Sequence, residues 1–183
     1  MGLFRSVETA PLPKESLLWT LHAPGDFIDG YRVRAAYAPR HAAEIALRFP
    51  AWVRLLLRLR GLLLSPFDLK SQGLTSQDMS SQDMASQDTT SQVTGGDSIA
   101  IFPVTHESAQ ELVLGFDDHH LDFRISFFAR DGYIHSGTWV RRHNRFGRLY
   151  LAAVMPFHIL IAKQMLARLH RHAERPADRQ ASN

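Results

Sequence analysis

The sequence predicts an α+β fold: an antiparallel sheet packed on one long C-terminal helix, with two short helices after the first strand. Two stretches carry the prediction. Between Glu111 and Arg142 the chain reads as three strands joined by tight turns at Asp117-Asp118-His119-His120 and Asp131-Gly132. From about Arg145 to His172 apolar residues recur at helical spacing.

The meander is specified in most detail. Leu121, Phe123, Ile125 and Phe127 alternate with His120, Asp122, Arg124 and Ser126. Alternation of that length makes a strand with two unlike faces. Asp131 and Gly132 both tolerate positive φ, so they close a two-residue hairpin. That turn sets Phe123 against Val140 and Ile125 against Thr138 on one face. On the other it sets Asp122 against Arg141 and Arg124 against Trp139, a charge pair and a cation–π pair. For the preceding hairpin, a four-residue loop from Asp117 to His120 pairs Phe116 with Leu121, Leu114 with Phe123 and Leu112 with Ile125. The polar face reads as the solvated side of the sheet.

The chain has 183 residues, enough for one domain, and its 45% hydrophobic and 21% charged residues are those of an ordinary globular chain. It has no cysteine, which excludes disulfides and thiolate chemistry. A net charge of +3 and a pI near 9.6 permit an anionic partner. They do not call for nucleic acid, because no basic stripe is interleaved with exposed aromatics. No charged-then-apolar leader opens the sequence, so a cytoplasmic location is expected. The longest apolar run, Leu149 to Ala162, is broken by Pro156 and His158 and is short for a membrane span.

Taken in order, residues 1–25 read as an extended arm carrying Pro11, Pro13 and Pro24. Residues 26–172 form the domain. Its first strand is signalled by Tyr31, Val33, Ala35 and Tyr37. Pro39 suits the start of a helix that runs to about Phe49. Pro50 ends it and opens a second, in which Trp52, Leu55, Leu56 and Leu59 form one stripe. Residues 71–95 hold five pentapeptides beginning Ser-Gln, with almost no large apolar side chain. Such a segment cannot repay its ordering entropy and reads as an inserted surface loop. Ile99 to Val104 is a short strand. Asn144 caps the last helix, which is apolar nearly all round in its middle and is therefore expected to lie buried on the sheet, kinked at Pro156. Residues 173–183 read as a disordered tail.

The order of strand, two short helices, meander and long helix resembles the helix-grip fold of the START-like (SRPBCC) superfamily. Particular residues narrow the likeness. They are Pro50-Ala51-Trp52-Val53, the run from Leu114 to Arg124, the run from His143 to Tyr150, and Pro156-Phe157-His158. Together they resemble the bacterial family catalogued as domain of unknown function 2867, over about Asp26 to Arg168, with the Ser-Gln repeat as an insertion. The resemblance implies a curved sheet gripping the last helix, with a cavity between them. It also implies the superfamily's business: binding hydrophobic ligands, or catalysis of cyclase or aromatase type. It assigns no catalytic residue.

Four groups of residues can carry chemistry. The turn with Asp117, Asp118, His119, His120 and Asp122 has metal-ligand residue types, but adjacent histidines on an extended chain point apart. Aspartates capping a hairpin account for it more simply, and no metal or cofactor is expected. The polar strand face joins His120, Asp122 and Arg124 to Trp139 and Arg141; a solvated face explains it without function. His158 stands on an apolar helix and must find a partner if buried. The resembling family's motif also has histidine there. With Tyr150, Val154, Phe157 and Ile161 from the helix, and Trp139 and Arg124 from the sheet, it makes up the candidate cavity lining. His135, opposite Phe128, is a weaker candidate. Asn144, Arg145 and Arg148 surround a helix N-terminus, where an anion can bind.

These residues favour a module binding a small apolar or amphipathic molecule. An enzyme using the same cavity, with His158 as acid–base group, is the alternative. A peripheral membrane role for the basic amphipathic stretch from Trp52 to Leu64 ranks third. Ligand identity and oligomeric state lie beyond the sequence.

Overall fold

The structure is a computed structural model describing residues 6–49, 53, 97–117 and 121–174, with the backbone alone at Phe146 and Tyr150. The second predicted helix (save Val53, which is helical and buried), the Ser-Gln repeat, the turn at 118–120 and the tail beyond 174 lie outside the described residues. The chain divides into two compact units, 1–48 with 96–183, and 49–95. The first of these holds the sheet and the C-terminal helix.

Its elements are β1 (Val7–Thr9), α1 (Leu18–Leu21), β2 (Phe27–Arg34), α2 (Pro39–Ala46), β3 (Ser98–Ile99), β4 (Phe102–Glu107), β5 (Glu111–Asp117), β6 (Leu121–Arg130), β7 (Tyr133–Arg142) and α3 (Arg145–Ala173). The strands make one curved, seven-stranded antiparallel sheet in the order β1-β2-β7-β6-β5-β4-β3. The α+β class is therefore the one the sequence predicts.

The β6–β7 register is the one the Asp131-Gly132 turn dictates: Phe123 faces Val140, Ile125 faces Thr138 and Arg124 faces Trp139. Both turn residues have positive φ, 51° and 77°, as the tight hairpin requires. The β5–β6 register differs from expectation by two residues. Phe116 pairs with Phe123, Leu114 with Ile125 and Leu112 with Phe127. A slip of two keeps every side chain on its face, so apolar alternation does not forbid it. What selects it is local. Gly115 sits opposite Arg124, and a Cβ there would overlap Phe123 O and crowd Arg124. The arginine crosses this gap to the carbonyl of Phe116 at 3.0 Å and to Asp117 at 2.7 Å. On the other face Phe116, Phe123 and Phe102 pack together, with ring centroids 5.6–6.4 Å apart.

One sheet face receives α3, which packs on β1, β2, β7 and α2. Leu121, Val140 and Leu151 form a core there with Phe27, Phe123 and Met155. The helix begins at the predicted cap, Asn144, whose Oδ1 accepts from the Gly147 N–H at 2.8 Å. It continues through Pro156 to Ala173. Its far end is tied down by Tyr37 Oη against His172 Nδ1 at 3.0 Å and by His170 Nδ1 against the Arg34 carbonyl at 3.3 Å.

The expectation of a helix buried nearly all round does not hold for its first half. Leu149 is 70% exposed, Phe157 49% and Leu160 39%. By contrast Met165, Leu166, Ala167 and Leu169 are buried. A continuous apolar stretch gives no direction to its own burial, and here the sheet covers one side only.

The other sheet face is not solvated. The stretch read as an extended arm supplies β1, paired with β2, then crosses that face as a strap from Ala10 to Leu21. Gly30 and Gly137 are partners in the β2–β7 ladder. A Cβ on Gly30 would overlap Ala10 O, and one on Gly137 would overlap Leu12 Cδ1. The paired glycines thus form a channel in which the strap lies. Leu12 and Leu18 complete a second core with Val113 and Trp139. Side-chain alternation marked this face as polar because its apolar cover comes from elsewhere in the chain.

Candidate functional site

The site begins on β2. Period two puts Phe27, Asp29, Tyr31 and Val33 on the face that meets α3. Their β7 partners on that face are Val140, Thr138, Ser136 and Ile134. A polar strip therefore runs through an apolar seam: Asp29, Tyr31, Ser136 and Thr138. Ser136, Thr138 and Tyr31 are all buried.

α3 adds His158 to this strip. Its Nε2 lies 2.9 Å from Asp29 Oδ2, and the two side chains remain 19% and 15% exposed. The contact sets Nε2 against the carboxylate and turns the other ring nitrogen, Nδ1, away from it. Asp29 Oδ1 accepts from the Thr138 backbone N–H at 3.0 Å. Burial pushes the Tyr31 phenol above its ordinary value, and the charge of Asp29 and its hydrogen bond to that carboxylate push the same way. Tyr31 is thus a neutral donor. Lys163, five residues beyond His158, brings its ammonium to 6.0 Å from the Tyr31 ring centroid. Phe27 meets the His158 ring edge-on at 6.1 Å. A histidine held by a carboxylate, beside a neutral phenol and an ammonium, can grip the polar end of a small molecule or move a proton at Nδ1.

The predicted lining residues divide. Val154 and Ile161 are half-buried with His158 on the sheet-facing side. Phe157 turns outward. The side chain of Tyr150 lies outside the described residues. Trp139 and Arg124 are ladder partners on the opposite sheet face, separated from His158 by the sheet itself. A first strand beginning at Tyr31 leaves Asp29 out of the site. Carrying the alternation back to Phe27 exposes the signal, a carboxylate in a row of core positions.

On the strap side the polar residues pair among themselves. Trp139 Nε1 and Arg141 both donate to Asp26, at 3.0 and 2.9 Å, and the Arg141 guanidinium stacks 5.0 Å from the Trp139 ring centroid. Asp122 and Arg141 are ladder partners as the turn predicts, but their ion pairs go elsewhere: Asp122 takes His143 at 2.8 Å and Arg141 takes Asp26. The cation over Trp139 is accordingly Arg141 rather than Arg124. Glu111 is buried and accepts from Ser16 Oγ at 2.6 Å, Ser126 Oγ at 2.5 Å and the Leu17 N–H at 2.8 Å. His135 has a buried Nδ1 with no hydrogen-bond partner among the described residues. Arg145 and Arg148 are exposed, and Asn144 is spent on its own cap. Among the described residues no three His, Asp or Glu side chains gather as a metal site.

Two groups predict how stability responds to acid. Burial, reinforced by Arg32 and Arg130, holds His135 below its ordinary value of 6.5. Burial raises the Asp26 carboxyl, but hydrogen bonds from Arg141, Ala23 and Trp139 outweigh it and hold it below 3.8. In both cases the unfolded chain takes the proton first, so each contribution is present at neutral pH and is lost on acidification. The His135 contribution fades below about pH 6.5, and that of Asp26 below about 3.8. Urea unfolding of the protein and a His135→Phe variant checks the upper step. The stability difference between them should move in the variant's favour from pH 7.5 to 5.5, and a constant difference would refute it.

No curated protein and no solved structure matches the chain. A family model matches residues 22–165, beginning just after the strap and ending within α3. The chain, with its sheet, its C-terminal helix and its Asp29–His158 seam, belongs to the family described as Protein of unknown function (DUF2867).

Proposed function

We propose that this domain is a helix-grip module that holds a small, largely apolar molecule between the sheet and α3, with the molecule's polar end at His158, Asp29 and Tyr31. The observation that carries the reading is the His158–Asp29 pair. Two polar side chains meet at 2.9 Å on the polar strip of the seam, and both keep part of their surface open. A purely structural pair inside a core has no use for that exposure. Binding sites of this kind are mostly apolar with a few convergent polar groups. A cytoplasmic location accords with it.

An enzyme at the same place is the second reading. It is favoured by the His158–Asp29 geometry, in which one ring nitrogen is fixed by a carboxylate as in acid–base dyads.

The test is a binding screen of amphipathic small molecules by thermal shift, repeated on Asp29→Asn and His158→Ala. A true ligand raises the Tm of the unmodified protein by mass action. Each substitution should weaken it roughly tenfold, the effect of one lost polar contact of about 1.4 kcal/mol. Ligands that bind both variants as tightly as the parent would remove the anchor from the account.

A further inference from the structure

The outer side of α3 presents a surface that the seam does not use. Arg145, Leu149, Ala152, Ala153, Pro156 and Phe157 are all exposed there, and Ile159 and Leu160 continue the strip. The spacing 149, 153, 156, 157, 160 is one stripe of a helix. Leu149 at 70% and Phe157 at 49% exposure are large side chains in water. The charge pattern of the helix is one-sided. Over 29 residues it carries Arg145, Arg148, Lys163, Arg168 and Arg171 and no Asp or Glu. Arg145 and Arg148, four residues and one residue before Leu149, are exposed with no side-chain partner among the described residues. By length and composition residues 147–173 would pass for a membrane span, with a hydropathy of 1.5. The inner side excludes spanning, because it is committed to the sheet through His158, Leu151 and Leu169.

We propose that the outer stripe of α3 docks on an anionic lipid surface, with Leu149, Phe157 and Leu160 entering the acyl boundary and Arg145 and Arg148 meeting headgroup phosphates. Charge complementarity chooses this occupant. A helix with only cations beside its apolar stripe matches an anionic, apolar interface, whereas a second copy would bring the same cations against one another. The helix then lies in the membrane plane with its inner side still on the sheet. The inference stands on the outer face and does not depend on the seam binding a ligand.

The test is flotation of the full chain with vesicles of phosphatidylcholine alone and of phosphatidylcholine with phosphatidylglycerol. The protein should float with the anionic vesicles and not the neutral ones, less so in high salt. Arg145→Gln with Arg148→Gln should cut partition roughly 30-fold, at about fivefold per cation. Phe157→Ser with Leu160→Ser should cut it at least as much. These positions are exposed, and circular dichroism confirms that each variant is folded. Equal binding to both vesicle types, or binding indifferent to the substitutions, overturns the proposal. So does a chain that ignores vesicles, whether it sediments as a dimer that buries the stripe or as a monomer whose own remaining residues cover it.

Discussion

Replacing Glu111 with alanine should destabilise the domain by on the order of 3–5 kcal/mol. Glu111 is 4% exposed and accepts from two serine hydroxyls and one backbone N–H. Its removal leaves two buried hydroxyls and one part-buried N–H without their acceptor, each buried one costing about 1–3 kcal/mol before local relaxation. Such a loss is a large share of the roughly 5–15 kcal/mol typical of a domain. At about 2–4 °C per kcal/mol the melting temperature should fall by roughly 10 °C. Glu111→Gln, which keeps one carbonyl acceptor, should lie between. Because two of the donors belong to the strap, Ser16→Ala and Glu111→Ala should be strongly non-additive. A loss under about 1 kcal/mol in Glu111→Ala would mean that the buried carboxylate does not hold the strap.

The second large effect is expected at Gly30. A methyl group there overlaps the carbonyl oxygen of Ala10 and approaches Leu12 N to 3.2 Å. Those are backbone atoms, so no rotamer change relieves the overlap, and the strap must lift. Overpacking of this kind costs about 1–3 kcal/mol. The local consequence is more diagnostic than the global one. Gly30→Ala should abolish amide protection at Ala10, whose N–H bonds Gly30 O at 3.1 Å, and should lower it at Leu17. The same substitution should leave protection in the β6–β7 hairpin unchanged. Hydrogen exchange by mass spectrometry reads both regions at once, and a strap as protected as in the parent would contradict the channel.

Much of this architecture is legible in the sequence where a local rule fixes the answer. Asp131-Gly132 permits one turn, and one turn gives one register for β6 on β7. Asn144 and Pro39 mark helix starts through their own geometry. Legibility fails where the deciding contact is remote. The β5–β6 register turns on Arg124 passing over Gly115, a choice between two registers that alternation treats as equal. The polar face of β6 and β7 looks solvated because its cover, residues 10–21, lies far off in the chain. That segment carries Pro11 and Pro13 and shows no period. For the site, His158 is visible as a polar residue on an apolar helix. Its partner Asp29 is hidden because the Asp29-Gly30 pair resembles a turn, although it is mid-strand. Gly30 is there to admit the strap, and that reason exists only in three dimensions.

The seam between the sheet and α3 is proposed to hold a small molecule at Asp29 and His158. Mass spectrometry of the protein purified under native conditions, with identification of the small molecules it releases, tests this most directly. The expected result is one apolar or amphipathic compound in near-stoichiometric amount, depleted when His158→Ala is purified in the same way. A protein that runs at its bare chain mass, releases nothing and stays unliganded after incubation with a lipid extract would contradict it.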